Sequence, residues 1–359
     1  MSEMPQVAES GLTPLAALAP ASDLQMHLGR ITPRAFAGIE SEFASLVHSS
    51  AVYDLGYFTR IRVTGEDRVR WLNGMVTNTV QSLPQGYGNY TLILNAQGRI
   101  QGDGYIFRAS DDLLLETDRS QAARLISHLD HFIIMDDVEL HELDAEHTIL
   151  GLAGPQAPET LSSLGLPVLE MLAFAEATLQ EIPLIIVRAY GVLVPRFELW
   201  LAAEHVAEAW RMLTEAGAKP VGFQALESLR ILEGTPRYGV DISDRYLPQE
   251  VSQDRALNFN KGCYLGQEIV ERIRSRATVH RTLRRFELIG AKPAPGAELI
   301  AEGDDKPIGE ITSVAHYALP GLTRTFALGM VRVEALERKA SMIYPGGKAI
   351  PLDAPPVLP

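Results

Sequence analysis

The stretch "FTRIRVTG", from Phe58, alternates polar and apolar positions, the period-two pattern of a half-buried strand. The following "EDRVRWLNGM" spaces Val69, Leu72 and Met75 along one helical face. "NYTLILN" and "RIQGDGYIFR" (99–108) read as a strand pair joined through "AQG". "DLLLET" is a further strand. "DRSQAARLISHLDHF" is an amphipathic helix with Asp118 and Gln121 placed as a capping box. A second unit begins near "HTILGLAGP" (147–155), with strands at "LIIVRAY" (184–190) and "FELWLA" (197–202) and helices over 204–216 and 222–233. Strands and helices alternate irregularly here, which predicts α+β rather than a doubly wound sheet. From Arg281 short β-rich runs are separated by Gly/Pro turns and predict a β-barrel-like domain. The expected division is a flexible N-terminal tail at 1–35, α+β domains at 36–145 and 146–280, and the barrel at 281–352.

Composition narrows the classes. The 359 residues are 46% hydrophobic and 21% charged, as in a globular protein. No apolar run approaches the roughly 18 residues that cross a bilayer, so no membrane partner is expected. A formal charge of −13 argues against a general nucleic-acid binder. One cysteine precludes an internal disulfide and fits a reducing compartment, so a cytoplasmic location is expected.

Phosphate-loop, G-x-G-x-x-G and G-x-S-x-G motifs are absent. His128 and His131 share a helix face but lack an evident third metal ligand, so no metal site is predicted. The single thiol lies in "FNKGCYLGQEIVERIRSR" (259–276). Leu265, Ile269, Ile273 and Ala277 recur every fourth residue, which predicts a helix with Cys263 near its N-terminus. There the dipole, with Lys261 close by, would favour a thiolate. A buried structural cysteine is the alternative.

"KGCYLGQE" (261–268) matches K-G-C-Y-x-G-Q-E and resembles the signature of the YgfZ family, folate-binding relatives of the glycine-cleavage T-protein, an aminomethyltransferase. "EGTPRYGVDISDRYLPQE" (233–250) is similar to that family's preceding segment, and a looser resemblance covers about residues 40–335. The resemblance implies an α+β, three-domain aminomethyltransferase-like fold around a central folate channel, closed by a C-terminal β-barrel-like domain. It implies tetrahydrofolate, or a derivative, as cofactor. "RFELW" (196–200) resembles the strand whose glutamate holds the pterin, and Glu198 matches that glutamate. A carboxylate accepts two parallel hydrogen bonds from an amino group and a ring N–H. A solvent-facing Glu198 on an alternating strand is the plain alternative.

"ALESLRILEG" (225–234) resembles the family helix whose arginine, here Arg230, would hold a folate carboxylate or orient Glu198. Arg230 also stands at pairing distance along the helix from Glu227 and Glu233. Tyr264, Gln267 and Arg272 stand as further candidate folate contacts. "LNAQGRIQGDGYIF" (94–107) resembles the strand pair that carries two consecutive aspartates, but here the pair reads Gly102–Asp103. The candidate chemical residues are Cys263, Asp103 and Lys261, with a plain turn or strand residue as the alternative for Asp103. The missing carboxylate weakens aminomethyl transfer.

Arg272, Arg274, Arg276, His280, Arg281, Arg284 and Arg285 form a basic run around the cysteine helix. It reads as a face of intramolecular ion pairs, as a receptor for folate carboxylates, or least well as an RNA contact. The resemblance implies an accessory protein for synthesis or repair of iron–sulfur enzymes, which would be its partners, with an indirect effect on tRNA thiomodification. One cysteine is too few for a cluster, which usually takes four ligands. A folate-dependent one-carbon transferase is the enzymatic alternative. A folate-binding module without chemistry is the third.

Overall fold

The apolar and alternating runs pair into sheets in this computed structural model, which describes residues 11–17, 23–143, 146–276, 279–319 and 322–357. One sheet has six strands in the spatial order Phe174–Leu179, Ile182–Val187, Arg196–Ala202, His147–Ala153, Ala51–Asp54 and Lys219–Pro220. The last pairs in parallel and its neighbours antiparallel. A second sheet has five, in the order Gly88–Leu94, Ile100–Arg108, Leu113–Asp118, Phe58–Thr64 and Glu139–Glu142. The predicted C-terminal barrel is present as a closed six-stranded barrel running from Arg281–Gly290 to Gly347–Leu352. Closure leaves it no unpaired edge. Its core is built from Phe286, Leu299, Ile311, Val331 and their neighbours.

The predicted helices at 204–216 and 222–233 appear as Val206–Glu215 and Phe223–Glu233. Val206, Ala209, Met212 and Leu213 repeat at helical spacing and pack on Phe197, Leu199 and Leu201 of the strand Arg196–Ala202. The helix Arg119–Asp130 starts where Asp118 accepts the Gln121 backbone N–H at 3.2 Å, as the capping pattern predicts.

Two features depart from the sequence pattern. Inside the stretch read as a tail, Asp23–His27 and Arg30–Ala35 form an antiparallel hairpin. Four of the five residues in its first strand are exposed, so no alternation marks it. A buried carboxylate ties this region down: Asp54 accepts the Thr13 and Thr32 hydroxyls and the Gly56 N–H. Burial raises the Asp54 pKa, and these three donors oppose the rise. The second departure is at the cysteine. The helix spans Gln267–Arg276, so Cys263 stands four residues outside it, and its side chain is exposed rather than buried. Ala277, the last member of the predicted apolar repeat, lies outside the described residues.

The chain divides into two compact units. The first comprises Met1–Leu72, Val80–Tyr90 and Gly104–Leu226; the second comprises Asn73–Thr79, Thr91–Asp103 and Glu227–Pro359. Among the described residues no helix is long and apolar enough to cross a membrane.

Candidate functional site

The first unit buries an acid pair. Antiparallel register sets Arg60 opposite Glu116 and Glu116 opposite Tyr105, so the three side chains form one row across neighbouring strands. Gly104, beside Tyr105, has no room for a Cβ because the Glu116 carbonyl oxygen fills that space. Glu198 and Trp200, two residues apart, share a face of the strand Arg196–Ala202. Phe107 meets the Trp200 ring edge to face at 5.1 Å, and the Arg60 guanidinium lies 4.7 Å from its centroid. Both faces of the strand are therefore covered: Trp200 is as buried as Phe197 and Leu199. Glu198 is half-buried, which excludes the fully solvent-facing alternative.

The indole N–H of Trp200 donates to Glu198 Oε2 at 2.9 Å. Glu116, only 5% exposed, is hydrogen-bonded to Glu198. Burial, the Glu198 charge and that hydrogen bond together hold the Glu116 carboxyl well above the usual range, against the pull of Arg60. Burial also lowers Arg60 to about 10, opposed by the charges of Glu116 and Glu198. Glu116 Oε2 and Arg60 Nε are buried without hydrogen-bond partners. Such atoms cost on the order of 1–3 kcal/mol each and call for an explanation.

The second unit contains the "KGCYLGQE" loop, and most of its positions have a structural task. The Lys261 ammonium donates to the carbonyls of Asn73, Val76 and Asn78 at 2.6, 2.6 and 2.7 Å. Burial pulls its pKa down to about 7. Three carbonyls need three N–H donors, which only the charged form provides, so they oppose that loss. Tyr264 is buried beneath this ammonium, with its ring centroid 5.1 Å from Nζ. Burial raises its phenol to about 12. The Gln267 side chain accepts the Tyr264 N–H at 3.2 Å, and the Gln267 N–H donates to the Tyr264 carbonyl at 3.1 Å. The side-chain bond is one half of a capping box, and with the backbone bond it closes the turn leading into the helix. Gly266 has φ +81° and a Cβ there would lie 2.6 Å from the Asn95 carbonyl oxygen, so glycine is required. Cys263 projects from the loop, exposed.

Residues 19–261 match the family model described as the GCVT N-terminal domain. The chain belongs to this family. It is 25% identical over 332 residues to an aminomethyltransferase of Thermotoga maritima, covering 89% of this chain and 88% of that one. It matches an aminomethyltransferase of Streptomyces coelicolor at 27% over 313 residues, covering 83% and 82% of the two. A chloroplastic protein of Arabidopsis thaliana matches at 27% over 266 residues, 73% of this chain and 61% of its own length. The crystal structure of the glycine-cleavage aminomethyltransferase T of Bartonella henselae superposes with a TM-score of 0.85 at 22% identity, covering 97% and 98% of the two chains. The aminomethyltransferase-like α+β fold with a C-terminal barrel, expected from the signature, is thus the fold of this GCVT-family chain.

Several candidate residues take other places than expected. Arg230 is sequestered in the second unit. Its Nε donates to Glu227, Nη1 to Thr235 O and Asp241, and Nη2 to Glu227 and Ser313. All five donors are engaged, so none is left for a folate carboxylate or for Glu198. Tyr264 and Lys261 build the loop, which leaves the tyrosine ring no free face over the ammonium. Gln267 likewise serves the turn, and Arg272 is exposed on the helix. Asp103 is half-buried on the strand Ile100–Arg108, and Gly102 beside it is buried. In the basic run, Arg281 pairs with Glu250 at 2.8 Å, Arg285 donates to Glu233 O and Asp353 O, and Arg274 lies 4.4 Å from the Phe259 centroid. Intramolecular pairing therefore accounts for these three. His128 and His131 both rest their rings on Phe132.

Arg60, Glu116 and Trp200 did not stand out as site residues in the sequence. The available signal was a charged residue ending the apolar run "DLLLET", but only strand register reveals what faces it.

Proposed function

We propose that this GCVT-family chain is a tetrahydrofolate-binding protein of the YgfZ type, an accessory factor for the synthesis or repair of iron–sulfur enzymes that acts indirectly on tRNA thiomodification. The observation that carries this reading is the build of the signature loop. Lys261, Tyr264, Gly266 and Gln267 serve its shape, whereas Cys263 is presented to solvent, as Gly262 and Glu268 beside it are. A loop so fixed around one exposed thiol suits transient thiol chemistry with a client enzyme better than packing. The lone Asp103 beside Gly102 supports the same reading, because the aminomethyltransferase strand pair it resembles carries two consecutive aspartates.

The residues present fit a folate. Glu198 is half-buried, and Trp200 and Glu116 fix its rotamer. Its remaining lone pairs would accept the amino group and ring N–H of a pterin. Bound tetrahydrofolate would supply nitrogens that accept or release a one-carbon unit. Asp103 is the carboxylate that the family resemblance assigns to proton handling in that chemistry. The cytoplasm is the proposed location, and iron–sulfur enzymes are the proposed partners.

The test is complementation. Wild type and Cys263→Ser are expressed in a bacterium lacking its own YgfZ-type protein, and an iron–sulfur tRNA-thiolating enzyme is assayed by the mass of its modified nucleoside. Restoration by wild type alone, at equal protein level, is the expected result. Equal restoration by both removes the thiol from the mechanism, and restoration by neither removes the accessory role. A second reading, folate-dependent aminomethyl transfer, is favoured by the names of the relatives and the family fold. It predicts methylenetetrahydrofolate formation from a lipoyl-borne aminomethyl donor, an assay the purified protein would pass or fail outright.

A further inference from the structure

In the first unit the Glu116 and Glu198 carboxyls come together, with the Arg60 guanidinium near enough to feel both charges and set over the Trp200 ring. If both acids were ionised, Arg60 would face two negative charges in a dry setting, with its Nε unpaired. Retention of one proton removes that excess charge. The proton belongs on Glu116 for two structural reasons. Glu116 is almost fully buried, whereas Glu198 is half-buried and already accepts the Trp200 N–H. The bare Glu116 Oε2 agrees, since a neutral carbonyl oxygen is far less costly to leave unpaired than a carboxylate oxygen. The charged and titratable groups around the pair are Arg60 and Glu198, with Tyr105 across the strand and Arg62 and Arg119 acting on Arg60.

We propose that Glu116 is a positioning residue: a neutral carboxylic acid that donates its proton to Glu198 and thereby fixes which lone pairs of Glu198 remain to grip a ligand edge carrying an amino group beside a ring N–H. Trp200 sets the second constraint by occupying Glu198 Oε2 on one side. Arg60 supplies a positive charge that feels both carboxyls. The Glu198 carboxylate is thus oriented before any ligand arrives and needs little reordering on binding. The ligand class rests on the folate reading above; the shared proton does not.

The experiment uses the full chain, with 5-formyltetrahydrofolate as probe. Its affinity is measured by calorimetry for wild type, Glu116→Leu and Glu116→Gln. Leucine removes the donor and is expected to weaken binding about tenfold, the scale of one lost charge-assisted hydrogen bond. Glutamine keeps an N–H donor at the same place and is expected to recover most of that loss. Infrared difference spectra without ligand provide a readout that a merely structural residue would not give. Wild type minus Glu116→Gln should show the carbonyl stretch of a protonated carboxylic acid; Asp54, the other buried acid with a raised pKa, cancels between the two. Failure of glutamine to recover binding, wild-type affinity in the leucine variant, or absence of the infrared band overturns the proposal. If wild type binds no folate yet shows the band, the folate reading fails and the proton pair stands. Folate binding without the band gives the reverse.

Discussion

The two units each bury one arginine with two carboxylates, and they treat it differently. In the second unit Arg230 lies between Glu227 and fully buried Asp241, and Thr312 and Ser313 donate to the same aspartate. Burial pulls the Arg230 pKa down, but the charges and hydrogen bonds of Glu227 and Asp241 outweigh it and leave it raised. In the first unit Arg60 is lowered, one nitrogen is unpaired, and an acid oxygen beside it is bare. An arginine with every donor engaged, as Arg230 is, rigidifies a fold, although Arg237, paired with Glu227 at 2.9 Å, leaves its Nε buried without a partner in the same cluster. An arginine short of partners, as Arg60 is, keeps hydrogen-bonding capacity at the expense of stability.

The sharpest way to break this contrast is to cut the saturated network. Arg230→Met strands a fully buried Asp241 and is expected to destabilise the protein by about 3–5 kcal/mol, read from urea unfolding. A small loss would mean the network is not what holds the second unit. Lys261→Met comes next. It leaves three carbonyls without their ammonium and should cost roughly 2–4 kcal/mol by the same measurement. Glu116→Gln is expected to change stability by no more than about 1 kcal/mol at neutral pH. Its sign depends on pH. Because the folded Glu116 pKa is raised, the native state binds more protons than the unfolded chain above the ordinary carboxylate range. Wild-type stability therefore falls as pH rises from that range towards the folded pKa, and the variant, which cannot ionise, gains on it. A constant gap across pH would place the proton elsewhere. Cys263→Ser should have the smallest effect on stability, within about 0.5 kcal/mol, because the thiol is exposed. A large loss there would make the cysteine structural and remove the basis of the accessory reading.

Local signals carried far along this chain. The Asp118 cap, the helix Val206–Glu215 and the Gly/Pro-punctuated strands of the barrel are visible because each depends on neighbours within a few residues. Arg230 shows the limit. Glu227, three residues away, was readable as a partner, whereas Asp241 and Ser313 were not, being 11 and 83 residues distant. With those partners unseen, the arginine looked available to a ligand. Glu116 is the converse case. It sits in an apolar run, and its meaning depends on Arg60 across one strand pair and Glu198 on another sheet. Glu198 itself was legible through the family strand, while the groups that aim it were not.

Because the chain has a single thiol and that thiol is exposed, any disulfide it forms must be to another molecule. Oxidation would register as a dimer band or a mixed adduct on a non-reducing gel. For the same reason a maleimide dye would attach at one address only, giving a fluorescence reporter on the signature loop without prior removal of competing cysteines.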